Sequence, residues 1–132
     1  MTGLAGLSWS EAGEQAAAGA LLAIPVGSTE QHGPHLPLST DTDIAVALTT
    51  RLAAARPGVL VAPPVAYGSS GEHQDFPGTL SIGQETLELL LVELCRSASL
   101  TFARSCRCPR TAATPGRSAS CFRNCRRPAS AR

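Results

Sequence analysis

Apolar residues along the first hundred positions form two short continuous runs and three stretches with helical character. The runs, residues 21–26 and 59–62, are bounded by glycine or proline and predict buried parallel strands. The three helical stretches are the alanine-rich residues 10–20, residues 41–55, and a leucine-rich stretch that begins directly after Ser81 and runs to about Ser99. Strands and helices therefore alternate, which is typical of an α/β fold with a mainly parallel sheet.

Polar residues at the helix boundaries predict where each helix begins. Ser10 is a candidate cap for the first helix, and Thr40 or Asp41 for the second. Ser81 and Gln84 have the spacing of a capping box before the third helix. The apolar stripe of that helix is made of leucines at helical spacing: Leu87, Leu90, Leu91 and Leu94.

Two glycine- and proline-rich segments, residues 28–40 and 67–78, follow the predicted strands and are expected to be loops. In a parallel sheet with right-handed crossovers, both loops lie at the carboxyl edge of the strands. Because α/β folds bind ligands at that edge, we expect the functional residues in these two loops.

The first loop contains a candidate metal-ligand set. Glu30 and His32 are two residues apart, so in an extended segment they point to the same side, and Asp41 follows at a helix start. Carboxylate and imidazole groups together suit zinc, manganese or iron. The alternative is that Asp41 only caps the helix while Glu30 and His32 are solvated loop residues.

The second loop contains Glu72 and His73, which are adjacent, so we expect only one of them to face a given site. His73 is a candidate active-site base, orienting group or metal ligand, and the alternative is a surface histidine in a turn. The surrounding glycines would allow the backbone to approach a substrate or a metal closely.

The charge of the 132-residue chain is divided near residue 100. Residues 1–100 carry three arginines and all ten acidic side chains, whereas residues 101–132 carry eight arginines and no acid. The second segment also holds four of the five cysteines: Cys106, Cys108, Cys121 and Cys125. We therefore expect a folded part over residues 1–100, followed by a disordered tail too poor in apolar residues to offset its ordering entropy.

Two long motifs in the loops resemble a known family. Residues 25–41 read Pro-Val-Gly-Ser-Thr-Glu-Gln-His-Gly-Pro-His-Leu-Pro-Leu-Ser-Thr-Asp, and residues 67–79 read Tyr-Gly-Ser-Ser-Gly-Glu-His-Gln-Asp-Phe-Pro-Gly-Thr. In this order they resemble the first two signatures of the creatininase family, over about residues 8–100. The resemblance argues against the alternative in which the first-loop residues are merely solvated.

The resemblance implies a three-layer α/β fold, of which this chain holds the N-terminal part, and a metal-dependent amidohydrolase activity. It also implies two divalent ions per active site, with Glu30 on one ion, His32 on the other and Asp41 bridging them. His73 and Glu72 are the catalytic candidates. The implied substrate is a peptide-like amide or a small cyclic amide, and the intact family is expected to form homo-oligomers.

The chain departs from the family after the second motif. The third signature, Asn-Gly-His-Gly-Gly-Asn, is absent, and no histidine follows His73. Since ligand count sets metal occupancy, we expect this chain to hold fewer than two ions, to have little or no hydrolase activity and to be a doubtful oligomer. A catalytically inactive fragment, or a binding or assembly module, is therefore the alternative function.

Three interpretations of residues 101–132 compete. The four cysteines could form a zinc knuckle, but the segment lacks the usual turns and apolar residues. The arginines could form a nucleic-acid arm, but nothing else in the chain indicates nucleic acid. The third interpretation, a shifted reading frame, ranks first. Read from the third base of the Arg110 codon, the bases fixed by residues 111–117 permit His-Gly-Gly-Asn-Ala-Gly-Ala, which contains the core of the missing signature.

The N-terminus has no basic segment, and the first sustained apolar run, residues 21–26, is far too short to cross a membrane. We therefore expect a cytoplasmic protein whose partner is a peptide or a small cyclic amide, and neither nucleic acid nor a membrane.

Overall fold

Three α-helices and three β-strands alternate along the part of the chain that the computed structural model describes, residues 3–102 and the backbone of residues 104–109. In chain order they are α1 (Trp9–Ala17), β1 (Leu21–Val26), α2 (Thr40–Ala55), β2 (Val59–Val61), α3 (Gln84–Thr101) and β3 (Arg104–Pro109). The first five of these elements lie within three residues of the boundaries predicted from the apolar pattern.

β1 is the central strand of a parallel sheet with the order β2-β1-β3. It pairs with β2 over three residues, from Leu21 opposite Val59 to Ala23 opposite Val61. All six β1 residues pair with β3. The predicted parallel sheet is confirmed. Because β1 and β2 are parallel, the loops that follow them begin at the same edge of the sheet.

β3 lies inside residues 101–132, the segment expected to be a disordered tail, and the domain boundary expected at residue 100 stays a prediction. The strand runs alongside β1 from Leu21 opposite Arg104 to Val26 opposite Pro109. A parallel ladder is formed by backbone groups, so it does not need apolar side chains, and it satisfies an edge of β1 that would otherwise be open. Residues 110–132 lie outside the described part of the chain, and their expected disorder stays a prediction.

The sheet is covered on both faces, as the continuous burial of β1 after its first residue requires. One face packs with the residues before α1, with α1 and with α3 in a single apolar cluster. Its members are Leu22, Ile24, Leu60, Ala62 and Phe102, with Leu4, Leu7, Ala16, Val65 and Ala98 packed against them. α2 covers the other face through its buried residues Ala45, Thr49 and Ala53. The three-layer arrangement expected from the resemblance is confirmed.

α1 begins one residue before the predicted start, and its cap is Ser8 rather than Ser10. The Ser8 hydroxyl accepts from the Glu11 N–H, while the Glu11 carboxylate accepts from the Ser8 N–H at 2.7 Å. The Ser8 hydroxyl and N–H together hold the pKa of Glu11 below its usual value. This contribution to stability is therefore present above the ordinary carboxyl pKa and is lost as acid protonates Glu11.

The predicted capping box of α3 is wrong. The N-cap is Gly83, with φ of +77°, and no side chain caps the helix. The Ser81 hydroxyl instead accepts from the backbone N–H groups of Ser70 and Gly83, so it joins the second loop to the helix start. In the predicted stripe Leu94 is exposed, and the buried residue on this helix is its neighbour Cys95.

Gly27 permits a close approach between the end of β1 and the start of α2. A Cβ atom at this position would lie 2.4 Å from Thr42 Cα and 2.6 Å from Thr42 N. Because those are backbone atoms of a helix, they have little freedom to move away. The absence of a side chain at Gly27 therefore fixes how near the first turn of α2 comes to the carboxyl edge of the sheet.

No helix in the described residues is long and apolar enough to cross a membrane.

We predict that Gly27→Ala lowers the free energy of unfolding by about 1–3 kcal/mol, the usual cost of forcing extra atoms into a packed site. The control is Gly13→Ala in α1, where a Cβ meets nothing within 4 Å. That substitution should stabilise the protein by about 0.5–1 kcal/mol, because alanine is the better helix former. Urea unfolding midpoints measure both, and equal effects of the two variants would contradict the close approach at Gly27.

Candidate metal centre

In the structure the first loop spans residues 27–39 and the second loop spans residues 62–83. The two loops are hydrogen-bonded to each other at the carboxyl edge of the sheet. Thr29 is the main link, because its carbonyl accepts from the Leu80 N–H at 2.9 Å and its hydroxyl donates to the Ala66 carbonyl at 2.9 Å. A Cβ atom on Gly68 would lie only 3.0 Å from the Gly27 carbonyl oxygen. The expected close approach of a second-loop glycine is therefore present, although its neighbour is the first loop.

Glu30, His32 and Asp41 meet at this edge. One ligand atom of each residue lies within 4.8 Å of those of the other two. Glu30 and Asp41 are buried, each with 6% of its surface exposed, and the His32 side chain is 21% exposed. The structure thus brings together the three residues that the sequence predicted as metal ligands.

Asp41 stands in the first turn of α2 but does not cap it, which removes the simplest alternative role for its carboxylate. Its Oδ2 accepts from the buried Ser28 hydroxyl at 2.7 Å, and its Oδ1 lies 3.2 Å from His32 Nε2. Ser28 is held in turn, because its carbonyl accepts from the Thr42 hydroxyl at 3.0 Å. Ser28 escaped the sequence analysis, although its place directly after the buried strand and Gly27 is the signal that could have found it.

The contacts of the His32 ring place Nδ1 against the Glu30 backbone and Nε2 toward the cluster. Its Nδ1 lies 3.1 Å from the Glu30 carbonyl oxygen, which can only accept, so Nδ1 carries the proton. In the neutral ring Nε2 then has a free lone pair directed at Asp41 Oδ1. A backbone carbonyl that accepts from the remote nitrogen is the usual support of a metal-binding histidine.

The buried carboxylates of the cluster also favour a cation between its ligand atoms. The His32 lone pair and the Asp41 carboxylate face each other, so a proton or a metal ion is needed between them. The ion pairs of the described residues include no arginine with Glu30 or Asp41. Burial costs several kcal/mol per uncompensated ion, far more than the 0–1 kcal/mol of an ordinary surface pair. The donor set therefore suits a divalent ion.

His73 faces the same cluster from the second loop. It ends the short 3₁₀ turn Gly71–His73, and its Nδ1 lies 2.9 Å from Gln31 Nε2. Its Nε2 is 3.9 Å from Glu30 Oε1. The Phe76 ring packs beside it with ring centroids 6.3 Å apart.

Glu72, the other catalytic candidate, is exposed and forms no hydrogen bond or ion pair with the described residues. The structure therefore does not bring it to the three ligands. His35 of the first loop is also exposed. Of the two adjacent residues in the second loop, it is His73 that faces the cluster.

The sequence profile of the family described as Creatininase: Creatinine amidohydrolase matches residues 5–105. The chain belongs to the creatininase family. A creatinine amidohydrolase from Pseudomonas putida is 36% identical over 104 residues, covering 74% of this chain and 40% of the relative. The solved structure "Creatininase Mn" superposes with a TM-score of 0.72 and 32% identity, over 79% of this chain and 43% of that one.

A second creatininase-family relative has the higher identity. The mycofactocin precursor peptide peptidase of Mycolicibacterium smegmatis is 62% identical over 84 residues, covering 60% of this chain. The match covers 34% of that relative, so the chain spans about a third of its length. The family profile match over residues 5–105 includes both loops, which explains why the sequence motifs alone indicated the family.

We predict that Asp41→Asn weakens Mn²⁺ binding by at least about 10- to 100-fold, since loss of even a supporting residue in a metal site has that effect. Manganese is chosen because it prefers oxygen and imidazole over the cysteine thiolates of this chain. The matched control is Asp43→Asn, an exposed carboxylate of the same helix turn that accepts from Ser39. Titration calorimetry should show a large loss for the first variant only. Equal affinities for the two variants would place the ion elsewhere.

Proposed function

We propose that this chain carries the first half of a creatininase-type metal centre for the hydrolysis of an amide bond. The observation that supports the proposal most strongly is the cluster of Glu30, His32 and Asp41, whose ligand atoms converge within 4.8 Å. A divalent ion, with zinc, manganese or iron as the candidates, would supply Lewis-acid polarisation of the amide carbonyl.

The protein residues around the cluster have distinct roles in this proposal. In the two-ion centre that the family resemblance implies, Glu30 and His32 would each hold one ion and Asp41 would be shared between them. The Ser28 hydroxyl, which donates to Asp41 Oδ2, would keep that carboxylate in place. His73, whose Nε2 lies 3.9 Å from Glu30 Oε1, would lie beside a substrate bound at the cluster. Glu72 remains a catalytic candidate from the sequence only, because its exposed side chain lies away from the ligands.

The proposed substrate is a peptide-like amide in a precursor peptide of mycofactocin maturation. The support is the name of the Mycolicibacterium smegmatis relative and its 62% identity over 84 residues. Creatinine, a small cyclic amide, is the second candidate within the same chemistry, and its support is the Pseudomonas putida relative at 36% identity. A cytoplasmic location and the absence of nucleic-acid and membrane partners stay predictions from the sequence.

A catalytically inactive fragment, or a binding or assembly module, is the second candidate function. The observation in its favour is that the described residues offer one cluster of three ligands, which is fewer than two ions ordinarily need. The homo-oligomer expected of the intact family stays a prediction.

A shifted reading frame in the gene is our proposal for the origin of the tail. The fixed bases that permit His-Gly-Gly-Asn overlap residues 110–114, which follow β3 directly. β3 lies beside β1 in parallel, with Pro109 opposite Val26. Residues encoded there by the alternative frame would thus leave the sheet at the same edge as the first loop, where Glu30 and His32 lie.

Resequencing of the locus tests this origin. The alternative frame should run open well past the present stop and should encode His-Gly-Gly-Asn, an amphipathic helix and a further candidate carboxylate ligand. If that frame closes within a few codons, the tail is genuine, and a basic-arm function becomes the stronger interpretation.

We predict that the 132-residue chain binds fewer than two ions and has little or no hydrolase activity, whereas a protein with the restored frame binds two and is active. The physical reason is that added ligands raise metal occupancy. Elemental analysis gives the metal content, and two tightly bound ions in the present chain would overturn the prediction.

The activity itself is tested by mass spectrometry of candidate precursor peptides and of creatinine, each incubated with the restored-frame protein and a divalent metal. Cleavage of a peptide supports the first substrate and ring opening of creatinine the second. The matched control carries His32→Ala, which should abolish either reaction. If neither substrate is consumed, both versions of the proposal fail.

A further inference from the structure

The Gln31 side chain joins the first loop to His73, and its orientation is determined by a backbone group. The Gly33 N–H donates to Gln31 Oε1 at 2.9 Å. A backbone N–H can only donate, so the amide atom that faces it must be the oxygen. The amide nitrogen of Gln31 is therefore the atom that faces His73, at 2.9 Å from Nδ1.

This contact determines which ring nitrogen of His73 carries the proton. The amide NH₂ of Gln31 is a donor without acceptor capacity, so His73 Nδ1 must accept through its lone pair. In the neutral ring the proton then resides on Nε2. The tautomer follows from the donor and acceptor chemistry of two neighbours, Gly33 and Gln31, and needs no assumption about the ring itself.

His73 and His32 consequently have opposite tautomers at one site. In the neutral His32 ring Nδ1–H donates to the Glu30 carbonyl, so Nε2 presents a lone pair to the cluster. In His73 the Gln31 amide occupies the Nδ1 lone pair, so Nε2 presents an N–H to it. The distance of 3.9 Å between His73 Nε2 and Glu30 Oε1 is longer than a hydrogen bond, so the His73 Nε2–H does not donate to Glu30.

We propose that Gln31 is a positioning residue that fixes His73 as a neutral hydrogen-bond donor through Nε2. In this state His73 Nε2 serves neither as a metal ligand nor as a general base, because both roles require its lone pair. On the proposed amide-hydrolase function, on which this role rests, the donor faces the carbonyl oxygen of the substrate as negative charge develops there. A neutral imidazole donor has this role in other enzymes.

The chain offers a direct test, because it contains only three histidines. Chain labelled with ¹⁵N-histidine shows, for each ring, which nitrogen bears the proton. Measured above the titration midpoints seen in the same spectra, His73 should show a protonated Nε2 and His32 a protonated Nδ1. The exposed His35 provides the reference for an unconstrained ring. A His73 ring protonated at Nδ1 overturns the proposal.

Titration of the same sample with Zn²⁺ separates a donor from a ligand. The Nε2 signal of His32 should move to the position of a metal-bound nitrogen, while the His73 signals keep their protonated Nε2. Movement of His73 Nε2 to a metal-bound position overturns the proposal. Neither measurement uses a substrate. Failure of the amide-hydrolase function in the activity assay can therefore be told apart from failure of the proposed His73 tautomer.

Substitution of Gln31 tests the cause. Gln31→Glu keeps the shape of the side chain but replaces the donor with an acceptor, so the proton should exchange from Nε2 to Nδ1 of His73. Gln31→Met removes the donor without adding charge, and both tautomers should then be populated. The control is Gln15→Glu, the same chemical change at an exposed position of α1, which should leave His73 unaltered.

The His32 signals report whether each variant has kept its fold. With His32 still protonated at Nδ1, an unchanged His73 tautomer in Gln31→Glu and Gln31→Met shows that Gln31 does not set it and overturns the proposal. If Gln31→Glu loses the His32 signature through misfolding, the uncharged Gln31→Met variant decides the question.

Discussion

The close approach of α2 to the end of β1 is the contact on which the site depends. It requires Gly27, because any side chain there would collide with the backbone of Thr42. Once the helix is that close, Asp41 in its first turn reaches the Ser28 hydroxyl and the His32 ring. A single packing constraint at the carboxyl edge of the sheet thus brings a helix residue to two loop residues that are nine or more positions away in the sequence.

Burial then gives the cluster its chemistry. Two carboxylates, those of Glu30 and Asp41, are almost completely removed from solvent, and the described residues place no arginine against them. A divalent cation is the partner that such a donor set favours, since a buried charge must be paired or coordinate a metal. The two histidines at the site differ because their remote nitrogens face different groups, a carbonyl for His32 and an amide NH₂ for His73. Under the proposed function, His32 would bind the ion and His73 would donate a hydrogen bond.

Much of this could be predicted from the sequence, and the remainder could not for identifiable reasons. Apolar runs and helical spacing locate β1, β2 and the helices because burial on one or two faces imposes those periods. The spacing of Glu30, His32 and Asp41 alone left open a helix cap with two solvated loop residues, and the resemblance of the two motifs to the creatininase family favoured a metal site. The predicted N-cap of α3 is wrong because a serine hydroxyl can either cap a helix or bind a loop. The Ser81 hydroxyl accepts from the Ser70 N–H of the second loop and does not cap the helix.

β3 and Gln31 show two further limits. Backbone pairing along β1 leaves no apolar pattern to detect, so a strand made of arginine, serine, cysteine and proline residues was missed. Gln31 is an ordinary polar loop residue until the fold brings His73, 42 positions later, within hydrogen-bond distance. Pairing between distant segments is a property of the tertiary structure, so the local sequence pattern does not predict it.

Binding of a metal ion by Glu30, His32 and Asp41 would use carboxylate oxygens and one imidazole nitrogen, and X-ray absorption spectroscopy of the chain loaded with one equivalent of Mn²⁺ can detect both. The spectrum should show a shell of oxygen and nitrogen with the scattering of one imidazole ring, and this ring scattering should disappear in His32→Ala. A spectrum without imidazole scattering, or one that is the same in the wild-type chain and in His32→Ala, would show that these three residues do not bind the ion.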